Sequence, residues 1–162
     1  MARRTLTTAL AFTAAAALTI LNHASAASNP FAGKWVLNVE KSTFDPGPAL
    51  KSLAMTITEA GDGALHEVID YVEGNGSGVV NHLEFTTAVD GKSVPVSGGA
   101  EADSVIATYL SPRTIKYVFK KSGKWVETGT FSVSKDGKTM QGPLSGKNTQ
   151  GPWKYHYVCD RQ

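Results

Sequence analysis

Asn29-Pro30-Phe31-Ala32-Gly33-Lys34-Trp35-Val36-Leu37-Asn38 sets the reading of the whole chain. From Lys34 to Val39 apolar and polar residues alternate, so an extended strand places Trp35, Leu37 and Val39 on one face. No helix signal of useful length follows residue 27. Instead, glycine-containing turns punctuate the chain about every 8–12 residues, the pattern of an all-β sandwich or barrel.

Upstream of this stretch, residues 1–26 read as an export signal. Arg3 and Arg4 form a positive n-region, Thr5 to Leu21 carries no charge, and Ala24-Ser25-Ala26 is an A-x-A cleavage site. The apolar run holds five threonines and is short for a membrane span. The mature part, residues 27–162, is then one periplasmic or secreted bacterial domain that is not integral to the membrane. The leader takes two arginines and no acid with it, so 16 basic residues against 14 acidic become 14 against 14. That balance gives nucleic acid no electrostatic hold on the domain. Cys159 is the single cysteine, so no internal disulfide forms. It reads as a buried small hydrophobe, with a disulfide-linked dimer as the alternative; the assembly expected is a monomer or weak dimer.

The turns set the register of the next strands. Gly61-Asp62-Gly63 closes a hairpin with Ala60 facing Ala64, and Gly74 to Gly78 closes another with Glu73 facing Val79. One face then carries Leu53/Tyr71/Asn81, Met55/Ile69/Leu83 and Ile57/Glu67/Phe85. The other carries Thr56, Thr58, His66, Asp70, His82 and Glu84. The first set is mostly apolar and points inward; the second is wet. Before these strands, Pro46-Gly47-Pro48 bars regular structure from Lys41 to Lys51. After them, Asp90-Gly91 predicts a tight hairpin that sets Phe85 and Thr87 opposite Val96 and Val94. A hairpin around Pro112-Arg113 puts Ile106, Thr108, Leu110, Ile115, Tyr117 and Phe119 on one face. In residues 125–134 two facings compete, and a bulge at Gly129 would reconcile them. Asp136-Gly137 pairs Val133 with Met140, and the last strand alternates Trp153, Tyr155, Tyr157 and Cys159 with Lys154, His156 and Val158. Strands joined to their chain neighbours close most readily into an up-and-down antiparallel β-barrel, here of about 8–10 strands, which removes exposed edges.

Phe31, Gly33 and Trp35 together resemble the opening strand of the calycin superfamily: lipocalins, fatty-acid-binding proteins and avidin-like proteins. The resemblance implies a lipocalin-like barrel whose Trp plugs one end, with a late basic residue, here Arg161, over it. Gly-Lys-Trp, Lys-Ser-x-Phe-Asp-Pro-Gly-Pro and Ser-Lys-Asp-Gly-Lys-Thr-Met also resemble small exported bacterial proteins of unassigned function with a lipocalin-like domain. The chain departs from the fatty-acid-binding pattern twice. Residues 41–51 are too few for a helical lid, and the closing Arg-x-Tyr pair is absent, with Tyr157 and Cys159 at the best-matching positions.

Glu67 is the leading candidate for chemistry. The register sets its carboxylate on the apolar face, where it needs a partner or ligand unless it sits in water at the barrel mouth. Glu67, Tyr71, Asn81, Phe85 and Tyr117 are the candidate ligand-binding residues, polar groups in apolar walls that suit a small apolar or amphipathic molecule. Tyr117, Phe119, Trp125, Phe131, Trp153, Tyr155 and Tyr157 either line a cavity or simply pack. The alternative is a barrel enzyme, a lyase, isomerase or hydrolase, with Glu67 or an Asp70–His82 pair as base. His66, Asp70, His82 and Glu84 could also hold a metal, but the wet face makes a solvated cross-strand cluster the plainer reading, and neither metal nor cofactor is expected.

Overall fold

The computed structural model describes residues 28–148 and 150–162, so the leader read at 1–26 lies outside the described residues. Gly33–Leu37 form β1, with Trp35 and Leu37 buried. The strand ends there. Asn38 Oδ1 accepts a hydrogen bond from Lys41 N at 3.1 Å and caps a 3-10 turn over Val39–Lys41. Val39 therefore leaves the face of Trp35 and Leu37 and is exposed. Ten more strands follow: β2 (Thr43–Asp45), β3 (Ser52–Glu59), β4 (Leu65–Val72), β5 (Val80–Thr87), β6 (Asp90–Pro95), β7 (Ser104–Ser111), β8 (Thr114–Lys121), β9 (Lys124–Val133), β10 (Thr139–Asn148) and β11 (Gly151–Arg161).

All eleven belong to one antiparallel sheet. Chain neighbours pair from β3 to β5 and from β6 to β11, and β1 lies between β3 and β11, joining the two halves. The outer edges, β5 and β6, meet through the bridge Glu84–Ser97, so the barrel is nearly closed. β2 pairs with β11 and lays Phe44 against Tyr155 at 5.1 Å between ring centroids. The irregular stretch expected over residues 41–51 thus contains one short strand before Pro46.

The β3–β4–β5 register is as the turns dictate: Ile57 pairs with Glu67 and Glu67 with Phe85. Leu53, Met55, Ile57 and Phe85 are buried. Three other expectations are corrected. Asp90-Gly91 does not close a β5–β6 hairpin. The chain turns at Thr87–Val89, where Val89 is buried at φ +55° and its N–H donates to Thr87 Oγ1; β6 pairs with β7 instead. In β7 the register slips by one residue between Tyr109 and Ser111. That slip turns Val105, Ala107 and Tyr109 inward, opposite Phe119, Tyr117 and Ile115, and leaves Leu110 exposed, with Ile106 and Thr108 on its face. In β9 the irregularity lies at Trp125–Glu127 and not at Gly129. Glu127 then pairs with Phe119 and faces inward with Gly129, Phe131 and Val133, while Trp125 is exposed.

One end of the barrel is shut by Phe31 and Trp35, both fully buried. Arg161 covers the indole from above, its Cζ 4.0 Å from the ring centroid. Cys159 is fully buried in the core, which removes the disulfide-linked dimer reading for the folded chain.

Candidate functional site

The inward faces of β3–β5 and β8–β11 surround a cavity of about 440 Å³. Its exposed lining residues come from the loops opposite the Trp35 plug: Pro46–Pro48, Gly74 and Asn75, Glu101, and Lys147, Asn148 and Gln150 around the β10–β11 turn. Those loops form the mouth. A shallow depression beside Asn29, Glu59 and Tyr109 marks the outside of the sealed end.

Glu67 lies deep in the cavity, 2 % exposed, which answers the mouth-or-interior question in favour of the interior. Tyr117 reaches from β8 across the barrel and donates its hydroxyl to Glu67 Oε1 at 2.8 Å. Burial pushes the Glu67 carboxyl up to about 7, against the smaller downward effect of that hydrogen bond. Burial, then the Glu67 charge, holds the Tyr117 hydroxyl well above its ordinary value, so it remains a donor. Phe85 stands edge-on to Tyr117 at 6.4 Å, and Tyr117 stacks with Phe119 at 6.3 Å.

Tyr71 lines the cavity nearer the mouth, its hydroxyl pushed up to about 12 by burial and then by Glu101, Glu73 and Glu127. Asn81 pairs with Tyr71 but is not part of the lining. Of the seven aromatics singled out, Tyr117, Phe119, Phe131, Trp153, Tyr155 and Tyr157 line the cavity. Trp125 sits outside, with Lys147 Nζ 5.9 Å from its ring centroid. Gly146, paired with both Glu127 and Trp153, leaves the space this wall needs: a Cβ there would meet Trp153 Cζ2 at 2.4 Å and the Val126 carbonyl oxygen at 2.6 Å.

Glu127 is the lining residue that sequence reasoning does not reach, because the facing of residues 125–134 stays open without the Trp125–Glu127 irregularity. Its surface is half-buried, and what remains exposed faces the cavity. Burial, then the Glu101 charge, pushes this carboxyl up to about 7 as well.

The Asp70–His82 pair forms, with His82 Nδ1 2.7 Å from Asp70 Oδ1, but on the outer face, where both side chains are close to half exposed. Glu84 lies 3.6 Å from His82 Nε2 and 3.5 Å from His66 Nε2. The hydrogen bond that His82 gives to Asp70 leads the effects that raise the imidazole above its ordinary value. Facing away from the cavity, the pair cannot act on a molecule held there. Among the described residues, no group of three His, Cys, Asp or Glu is placed to hold a metal. Glu67 is the one catalytic candidate that reaches the cavity.

The barrel as a whole is similar to solved structures. The fold is that of the calycin-type β-barrels. Wild-type UnaG, a fluorescent protein, aligns at TM-score 0.51 with 13% identity over 82% of this chain and 97% of its own. A UnaG variant gives 0.50 with 15% identity over 82% and 96%. Zebrafish ileal bile acid-binding protein, complexed with cholic acid, gives 0.49 with 14% identity over 82% and 99%. The sequence itself matches no protein-family model and no curated protein.

Proposed function

We propose that this barrel binds one small apolar or amphipathic molecule in its interior. The observation that supports this is the cavity itself, about 440 Å³ left unfilled inside a domain whose other end is tightly plugged. Protein interiors normally pack with few voids larger than a water. This one equals roughly 15 waters at liquid density, too many for apolar walls to hold well, and falls in the size range of small-molecule pockets. Phe85, Phe119 and Leu83 supply the apolar walls, and Glu67, Tyr71 and Tyr117 the orienting polar groups.

Saturable uptake of N-phenyl-1-naphthylamine at one molecule per chain, and one small molecule retained in native mass spectra of protein from its source, are the expected results. A chain that takes up no probe and carries nothing sinks the reading. The leader at 1–26 supports a site of action in the periplasm or outside the cell. N-terminal sequencing of source protein should begin at Ala27, and an intact Met1 would overturn export. A second reading makes Glu67 a proton-transfer base, since a carboxyl near 7 is matched to work at neutral pH. In D2O the retained molecule would then gain deuterium at an acidic C–H only while Glu67 is intact.

A further inference from the structure

The ionisable acids and bases of the cavity lining are almost all acids. Glu67, Glu73, Glu101 and Glu127 line the cavity, and Lys147 is the single basic residue of the lining among the described residues. Lys147 is exposed at the mouth, with its ammonium over the outer Trp125 ring. Glu127 is the telling group. It is only partly exposed, it faces the cavity, and it has no hydrogen-bond or ion-pair partner among the described residues. A carboxylate accepts hydrogen bonds and donates none, so a partner for it must bring N–H or O–H groups. Tyr71, Tyr155 and Tyr157 face the same space and feel the Glu127 charge. Their hydroxyls have no partner among the described residues either.

Resting on the reading of the barrel as a ligand container, we propose that the cavity selects an amphiphile whose polar end is a protonated amine or similar donor, seated at Glu127, and disfavours carboxylate-headed ones. A carboxylate head would meet the carboxyls of Glu67, Glu101 and Glu127, and the one basic residue of the lining, Lys147, stays at the mouth against Trp125. An ammonium head meets Glu127 first and Glu67 deeper in, while its tail lies among Phe85, Phe119 and Leu83. Without ligand, Glu127 avoids an unpaired buried charge by keeping its proton near neutral pH. An ammonium ligand displaces that proton, so binding strengthens as pH rises. The groups around Glu127 are Glu101 from the β6–β7 loop, Tyr155 and Tyr157 from β11, Tyr71 from β4, and Phe119 and Gly146 from β8 and β10. Glu101 is the other carboxyl among them, and its charge adds to the pull on a cation.

The test uses decylamine, decanol and decanoate to displace N-phenyl-1-naphthylamine from the whole mature chain. At pH 7.5 decylamine should displace the probe at a concentration at least tenfold below decanoate, with decanol between them. The amine should also bind more tightly at pH 8 than at pH 6. Glu127→Gln should bring the amine-to-decanoate ratio towards one. Decanoate equal to or better than decylamine in the unsubstituted chain overturns the proposal. So does an amine preference that survives in both Glu127→Gln and Glu67→Gln. If the probe and decanol bind without amine preference, only this proposal falls. If the probe and all three compounds fail to bind, the container reading falls with it.

Discussion

Arg161 lies over the indole of Trp35 and donates hydrogen bonds to three backbone carbonyls, those of Pro30, Ala32 and Gly137. One side chain thus ties the segment before β1 to the β9–β10 turn and roofs the plug. Trp35 Nε1 completes the closure by donating to the Phe31 carbonyl at 2.8 Å. Gly33 is part of the same device. Its φ of +141° favours glycine, and a Cβ there would push the Arg161 guanidinium off its place over Trp35. Arg161→Ala removes the cation–π contact and leaves partly buried carbonyls short of a donor, a loss of about 2–4 kcal/mol. Urea unfolding should show a lower midpoint at unchanged slope, while probe uptake at the far end of the barrel persists. A midpoint within error of the parent would mean the roof adds nothing to stability.

Glu67→Gln tests the buried carboxyl through pH. In the folded chain its pKa is raised from 4.5 to about 7. The folded form therefore holds the proton more tightly than the unfolded chain. The stability that this provides is complete below about pH 4.5 and is lost as pH rises through about 7. The span corresponds to at most about 3 kcal/mol. Glu127 titrates in the same direction and window. The parent should be less stable at pH 8 than at pH 5, and Glu67→Gln should lose a large part of that difference. Equal pH slopes in parent and variant would show that Glu67 ionises freely.

Tyr117→Phe separates the hydrogen bond from the burial. The ring, its stack on Phe119 and its contact with Phe85 remain; the donor to Glu67 Oε1 goes. An ionised Glu67 then lacks the partner shown here, so a cost of about 1–3 kcal/mol should be present at pH 8 and shrink at pH 5. A cost independent of pH would mark a packing defect instead.

The β3–β4–β5 half of the barrel is legible because glycine turns set its register and a buried face forbids a slip. A one-residue error would have turned Met55, Ile69 and Leu83 to water. Glu67 could be placed beside Ile57 and Phe85 for that reason. β7 and β9 defeat the same logic, because each carries an irregularity that neither alternation nor turn residues announce. At Leu110 the two-residue turn is as expected, with Ser111 opposite Thr114, but the slip beyond it reverses the whole strand. At Trp125–Glu127 the irregularity decides that an acid and not an indole faces the interior. Glu127 was therefore hidden behind one single-residue event. The Asp70–His82 pair shows the converse: pairing was readable, and so was the outward direction that keeps it from the cavity.

Cys159 should be inert. It is fully buried, and burial pushes its thiol up to about 12, far from the reactive thiolate range. Ellman's reagent should label it only at the rate of unfolding, and mild oxidant should yield no covalent dimer. Rapid labelling of the folded chain would show that the β1–β11 seam opens.

Leu83→Trp fills the cavity without touching its polar groups. Leu83 pairs with Ile69 on the inner face and is only partly buried, because its side chain borders the empty space. A larger ring in a packed core costs about 1–3 kcal/mol through strain, whereas a ring entering a void gains contacts instead. The substitution should therefore leave urea stability equal to the parent or higher, and reduce uptake of N-phenyl-1-naphthylamine at least tenfold. The two readouts have to move in opposite senses. Joint loss of stability and binding would show that the interior is already full around Leu83, and retained binding would place the ligand elsewhere on the molecule.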